Sequence, residues 1–135
     1  MKVYQGSCLC GQVTYEVRGL SKNAAHCHCS MCRKFHGAAF GTLFTAEHVQ
    51  WTSGQSLVKE YVAPNGTTRT FCSECGSSLG FRGKDVPQAQ MEVAIATLDG
   101  DIDVTPDAHI YTRYKANWYV IEDNLSQFGE GREEG

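Results

Sequence analysis

Strict alternation of apolar and polar positions is the clearest pattern in the chain. Between Gln12 and Arg18, Val13, Tyr15 and Val17 fall on one face. Thr14, Glu16 and Arg18 fall on the other, which is the period of a half-buried strand. Ser56–Val62 and Thr67–Phe71 flank Pro64-Asn65-Gly66, a strong signal for a hairpin turn. Ala38–Phe44 and Met91–Leu98 are more continuously apolar and read as buried strands. Asp99-Gly100-Asp101 reads as a turn and Ile110–Tyr114 as a further strand. Helix is scarce: Ser30–Phe35 predicts one turn, and Thr45–Gln50 another with Thr45 as its N-cap. The pattern predicts a mainly β fold with little helix.

A chain of 135 residues, 41% hydrophobic and 20% charged, has room for one globular core and one domain. That domain is expected to span residues 1–128. The last seven residues, GEGREEG, are too polar and glycine-rich to order themselves, so a disordered tail is expected over 129–135. The longest apolar stretches fall far short of the roughly 18 residues of a membrane helix. The first residues contain no apolar run that would mark secretion, so a reducing, cytoplasmic setting is expected. A formal charge of −3 with no basic face makes nucleic acid and anionic membranes poor candidate partners. The sequence carries no signal for an oligomeric state.

The seven cysteines change this picture most. Cys8-Leu9-Cys10-Gly11 is a C-x-C followed by glycine, and Cys72-Ser73-Glu74-Cys75-Gly76 is a C-x-x-C followed by glycine. In a metal-binding knuckle the chain turns back so that N–H groups face the sulfurs. The residue after the second cysteine then often needs φ > 0, which glycine accepts without strain. Two such knuckles supply four thiolates, the closed shell of a structural zinc. Their union would staple the start of the chain to the Pro64–Gly66 hairpin. The middle group, Cys27-His28-Cys29-Ser30-Met31-Cys32, has no trailing glycine. Its three thiolates can reach one ion and leave a fourth position open, as in catalytic sites. Spacing alone leaves other readings open: ordinary buried thiols, a cross-pairing of the knuckles, an iron–sulfur cluster, or a second closed site with His26, His28 or His36 as fourth ligand.

Three thiolates make a bound zinc electron-rich and a weak polariser of water. An incoming thiol, in contrast, would lose its proton on coordination and keep its nucleophilicity toward an electrophilic carbon such as that of an aldehyde. Arg33 and Lys34 directly follow Cys32 and are candidates to offset the added negative charge and to bind substrate. Motifs of base deaminases, zincins, nucleotide-binding loops and serine hydrolases are absent.

The chain resembles the glutathione-dependent formaldehyde-activating enzymes, whose domain is shared with centromere protein V. The resemblance runs from about Gly6 to Phe128. It rests on Gly6-Ser7-Cys8-Leu9-Cys10-Gly11 with Val13 and Tyr15, and on His26-Cys27-His28-Cys29-Ser30-Met31-Cys32-Arg33-Lys34 with Gly37, Ala39 and Phe40. It continues in Arg69-Thr70-Phe71-Cys72-Ser73-Glu74-Cys75-Gly76-Ser77, then Pro106, His109-Ile110, Trp118 and Asp123-Asn124-Leu125 through Phe128. The resemblance implies zinc-stapled antiparallel sheets of the β-tent type and two zinc ions per chain. The structural ion would sit on Cys8, Cys10, Cys72 and Cys75, the catalytic one on Cys27, Cys29 and Cys32. It also implies carbon–sulfur lyase chemistry that joins glutathione to formaldehyde or reverses the union.

The leading reading is therefore a zinc-dependent lyase or synthase acting on a small glutathione-like thiol and a small formaldehyde-like aldehyde. Arg33, Lys34, Arg69, Arg113 and Lys115 are candidate partners for the thiol's carboxylates. Tyr114 and Trp118 are candidate pocket walls, and His109 a candidate proton carrier. The alternative is a non-enzymatic, zinc-stabilised protein-interaction module. A third reading is a redox or zinc-storage role for the tri-thiolate group.

Overall fold

The computed structural model describes residues 2–21 and 23–132. The alternating segment forms β2 (Thr14–Leu20), which pairs antiparallel with β1 (Val3–Ser7), Tyr4 opposite Val17 and Gly6 opposite Tyr15. β2 also pairs antiparallel with β4 (Gly41–Ser53), where Val17 faces Val49. The first residues of β4 pair on one side with β3 (Ala24–Cys27) and on the other with β8 (Glu92–Ala94). β5 (Val58–Val62), β6 (Thr68–Cys72) and β7 (Ser78–Arg82) form an antiparallel meander that joins β8. The expected hairpin around Pro64–Gly66 is the β5–β6 turn.

The sheet is open and mixed rather than wholly antiparallel. β9 (Pro106–Ile110) lies parallel to β3, and β10 (Ser126–Gln127) lies parallel to β9. A parallel pair needs a crossover connection, and the segment between β8 and β9 supplies one.

Three further expectations are revised. Thr45–Gln50 is no helical turn but part of β4. Its short polar run fits a capped turn locally, yet the pairing of Ala46 with Leu20, His48 with Arg18 and Val49 with Val17 decides for strand. Met91–Leu98 is strand only over Glu92–Ala94, and Ile95–Thr97 winds into a 3-10 turn. The strand placed at Ile110–Tyr114 ends at Ile110, because Tyr111 adopts φ +55° and opens a 3-10 turn at Thr112–Tyr114. Ser30–Phe35 is helical as expected: α1 spans Ser30–His36 and stops at Gly37.

β4 has covered residues on both faces where it joins β3 and β8. Phe44 is fully buried in the main core with Val13, Tyr15, Val17, Leu79, Met91 and Val93. Leu43, on the opposite face, packs with Cys27, Cys32 and Ala94. Gly129–Arg132, part of the segment expected to be disordered, is hydrogen-bonded. The Arg113 and Tyr111 amides donate to the Gly129 and Glu130 carbonyls at 3.2 and 2.9 Å, and Arg132 donates to the Ala24 carbonyl at 3.0 Å. Residues 133–135 lie outside the described residues. Among the described residues, no helix is long and apolar enough to cross a membrane.

Phe44→Ala should cost about 3–5 kcal/mol, as for a buried aromatic removed from a packed core. Tyr61→Ala, on the edge strand β5 and 57% exposed, should stay within about 0.5 kcal/mol. Urea denaturation of the metal-loaded protein checks both values.

Candidate metal centres and ligand cavity

The two glycine-closed knuckles meet at one end of the sheet. Cys8 and Cys10 follow β1, while Cys72 ends β6 and Cys75 lies in the turn to β7. Gly11 and Gly76 both adopt φ +78°, the backbone the knuckle geometry requires. The four sulfurs lie within 4.8 Å of one another. Cys8 and Cys10 are 3.5 Å apart, and Cys10 and Cys72 are 4.0 Å apart. A tetrahedral zinc shell has sulfur–sulfur edges of about 3.8 Å, from a Zn–S bond of about 2.3 Å, so the donor set fits a closed metal site. N–H and O–H groups aim at the sulfurs. The Val13 amide donates to Cys8 Sγ at 3.3 Å, and the Ser77 hydroxyl lies 3.3 Å from Cys75 Sγ. The hydroxyl and then the amide of Ser77 draw the Cys75 thiol down to about 5. Thiolate character is thus already favoured there.

Cys27, Cys29 and Cys32 form the second group, again with sulfurs within 4.8 Å. Cys27 ends β3. Cys29 is the N-cap of α1, and its sulfur accepts the Cys32 amide at 3.3 Å. Shared hydrogen bonds from Cys27 and Cys32 hold Cys29 far below its usual range, and the same sharing pushes Cys27 far above it. One thiolate forms easily and then opposes the others. A cation is what would let all three ionise.

Behind these sulfurs lies Arg69, only 5% exposed. Its Nη2 is 3.7 Å from Cys32 Sγ, and its guanidinium sits over the rings of Phe81 and Phe35 at 4.8 and 5.9 Å. Among the described residues, Nε and Nη1 have no hydrogen-bond partner. A buried, half-satisfied cation is costly unless negative charge faces it. Three thiolates around a divalent ion, net −1, would provide that charge. The residues present therefore fit a metal at this position also.

The pleat separates His26 from this group, while His36, at the end of α1, packs its ring against Gly41. Ala25 and Cys27 share a face of β3 with Leu43 and Thr45 of β4, whereas His26 pairs with Thr42 on the opposite face. His26 bonds the Thr42 hydroxyl at 2.7 Å. His28 Nε2 lies 2.8 Å from His109 Nδ1, and His109 Nε2 lies 2.9 Å from Asp123. If His109 gives its Nε2–H to the carboxylate, its Nδ1 accepts from His28, and both rings are neutral. Among the described residues, no histidine joins the tri-thiolate set. His109 is thus a link in a buried chain away from the sulfurs.

The tri-thiolate opens onto a cavity of about 620 Å³, within the usual range for small-molecule sites. Arg69 lines it. Arg33 and Lys34 do not; they line a separate depression of about 250 Å³ with Trp118. Their place on α1, past the last cysteine, turns them away from the sulfurs. Arg33 donates to the Tyr114 carbonyl at 3.0 Å, Arg113 pairs with Glu130 at 2.8 Å, and Lys115 donates to the Ala116 carbonyl at 3.1 Å. Sequence reasoning missed Phe81, Glu92 and Tyr111 as cavity residues. A charged residue inside the mostly apolar Met91–Leu98 was the available signal for Glu92.

A model of the glutathione-dependent formaldehyde-activating enzyme family matches residues 3–114. The chain belongs to that family. This family member is 28% identical over 128 residues to an uncharacterized lyase of Schizosaccharomyces pombe, across 95% of this chain and 92% of the relative. It also resembles a Rhodobacter sphaeroides protein of known crystal structure, with a TM-score of 0.61 and 27% identity over 73% of this chain and 90% of the other. In this member the family match takes in both cysteine clusters and Arg69.

Cysteine substitutions should divide into two classes. A closed structural site of this kind contributes roughly 10–16 kcal/mol, so Cys10→Ser or Cys75→Ser should leave the chain largely unfolded. Cys29→Ser should leave it folded with one metal ion fewer. Metal analysis and thermal melts check this, and equal damage from both classes would refute the division.

Burial, then the neighbouring His109 ring, pushes His28 down to about 4, below the usual 6.5. Between those values the unfolded chain binds a proton that the folded chain refuses. Stability should therefore fall as pH drops from about 6.5 to about 4, by up to about 3 kcal/mol from this group. Denaturation curves of the metal-loaded protein across that window should be less pH-dependent for His28→Gln than for the unsubstituted protein. Equal slopes would remove His28 as the cause.

Proposed function

We propose that the protein is a zinc-dependent carbon–sulfur lyase of the glutathione-dependent formaldehyde-activating type. It joins a small glutathione-like thiol to a small formaldehyde-like aldehyde, or reverses that union. The observation that carries the reading is the contrast between the two sulfur groups. Cys8, Cys10, Cys72 and Cys75 form a set of four, suited to a structural zinc. Cys27, Cys29 and Cys32 form a set of three on the wall of a ligand-sized cavity. The family and the lyase name of the fission-yeast relative support the same direction.

Zinc held by three cysteines would accept the substrate sulfur as a thiolate and, being electron-rich, leave it nucleophilic. The chain's own groups prepare the rest. Cys29 at the helix N-cap and Cys27 at the strand end fix the ligands on two rigid elements. Arg69 places a buried positive charge against Cys32, offsetting the charge that a further thiolate brings. Leu43, Phe81 and Ile110 line the cavity beside it and limit water at the reacting carbon. Overall, the S–H proton goes to the carbonyl oxygen as the C–S bond forms. Cleavage returns it.

Cobalt(II) in place of zinc reports directly on the shell. Glutathione should change the charge-transfer and ligand-field bands, and S-methylglutathione should not. Conversion of the hemithioacetal, followed by NMR, should be lost in Cys29→Ser. If no small thiol altered the spectrum, the lyase reading would give way to a structural module.

A further inference from the structure

The lyase reading leaves one cavity group without a task. Strand register puts Arg69 opposite Phe81, Phe81 opposite Glu92, and Glu92 opposite Thr45, a row across β6, β7, β8 and β4. Directly opposed residues share a face, and all four line the cavity. Arg69 is committed to Cys32 and two aromatic rings. Arg132, the other cation on the lining, donates to Asp107 and to the Ala24 carbonyl. Among the described residues, the Glu92 carboxylate has no ion-pair or hydrogen-bond partner, and burial holds its carboxyl above the usual range. An unpaired carboxylate in a largely apolar cavity is costly, and a ligand cation would relieve the cost.

We propose that Glu92 receives a cationic group of the thiol substrate, so that the site selects thiols carrying an ammonium well away from the sulfur. This inference rests on the lyase reading. Glu92 is two strands from Arg69, about 10 Å at the usual spacing of strands. Its partner Thr45 is four residues along β4 from Gly41, which faces Cys27, or about 13 Å at the strand rise. That separation puts Glu92 too far from the sulfurs to handle the proton of the reacting carbonyl. It suits an amine separated from the sulfur by two to three extended residues, about 7–10 Å. Glutathione carries its ammonium at that kind of distance. Cysteine and cysteamine, with amine and sulfur on neighbouring carbons, cannot span it.

The test uses the cobalt-loaded protein titrated with glutathione, with glutathione acetylated on its amine, and with 2-mercaptoethanol. Wild type should bind glutathione at least about tenfold more tightly than the acetylated form. Glu92→Gln should bind the two alike, and should bind 2-mercaptoethanol as wild type does. Its thermal midpoint should equal or exceed that of wild type, since the substitution removes an unpaired charge. If glutathione changed the cobalt spectrum but neither acetylation nor Glu92→Gln altered its affinity by more than twofold, the inference would be overturned and the lyase reading would stand. A Glu92→Gln chain that failed to fold would also overturn it, by showing a structural need for the charge. If no thiol, 2-mercaptoethanol included, changed the spectrum, both would fall together.

Discussion

Repulsion between crowded thiolates is the constraint around which this protein is organised. Seven sulfurs gather into two clusters, each with its members within 4.8 Å of one another. Ionised together without a counter-charge, they would drive the clusters apart. The structure answers with directed donors and one buried cation. Knuckle amides and the Ser77 hydroxyl face the first cluster. The Cys32 amide, in the first turn of α1, and Arg69 face the second. These groups supply part of the compensation that a metal ion would complete. The orphaned nitrogens of Arg69 follow from the same logic, because that cation is placed for charge rather than for hydrogen bonding.

The first cluster also brings distant segments together. It ties the β1–β2 hairpin to the β6–β7 turn, segments far apart in sequence, at one end of the sheet. The second cluster depends on the pleat. Ala25 and Cys27 of β3 and Leu43 and Thr45 of β4 line the cavity, whereas His26, paired with Thr42 on the opposite face, packs against His109 of the His28–His109–Asp123 chain. A shift of one residue in that register would exchange sulfur for imidazole. Full burial of His28 and its bond to His109 hold the loop between Cys27 and Cys29 in place. The polar face thus supports the ligands without joining them.

The cavity is shaped by different physics. Its lining is largely apolar, with Cys27, Cys32, Leu43, Phe81 and Ile110 shared with the smaller core cluster, so the charged groups among its polar residues count for more than they would in water. Arg69 faces inward to the sulfurs. Glu92 stands two strands away, its carboxylate without a partner among the described residues, which gives the cavity opposite polarity at separated points. Such an arrangement favours a zwitterionic ligand of matching length over a small neutral one.

Much of this was written into the sequence. The alternation from Val13 to Val17 specified β2, and Pro64-Asn65-Gly66 specified the β5–β6 hairpin, because turn chemistry and pleat period are local. Gly11 and Gly76 separated the four-sulfur group from the three-sulfur group, since a positive φ is also a local demand. Other outcomes depended on distant partners. Thr45–Gln50 became strand only because β2 lay ready to pair with it. Arg33 and Lys34 are adjacent to Cys32 in sequence but point elsewhere, because a helix carries successive side chains around its axis. Arg69, thirty-seven residues beyond Cys32, took the role of counter-charge. Glu92 entered the cavity through cross-strand register. Residue type and spacing determined which atoms could bind metal. Only the packing of the sheet decided which charges would stand beside them, because electrostatic partnership depends on distance in space and not along the chain.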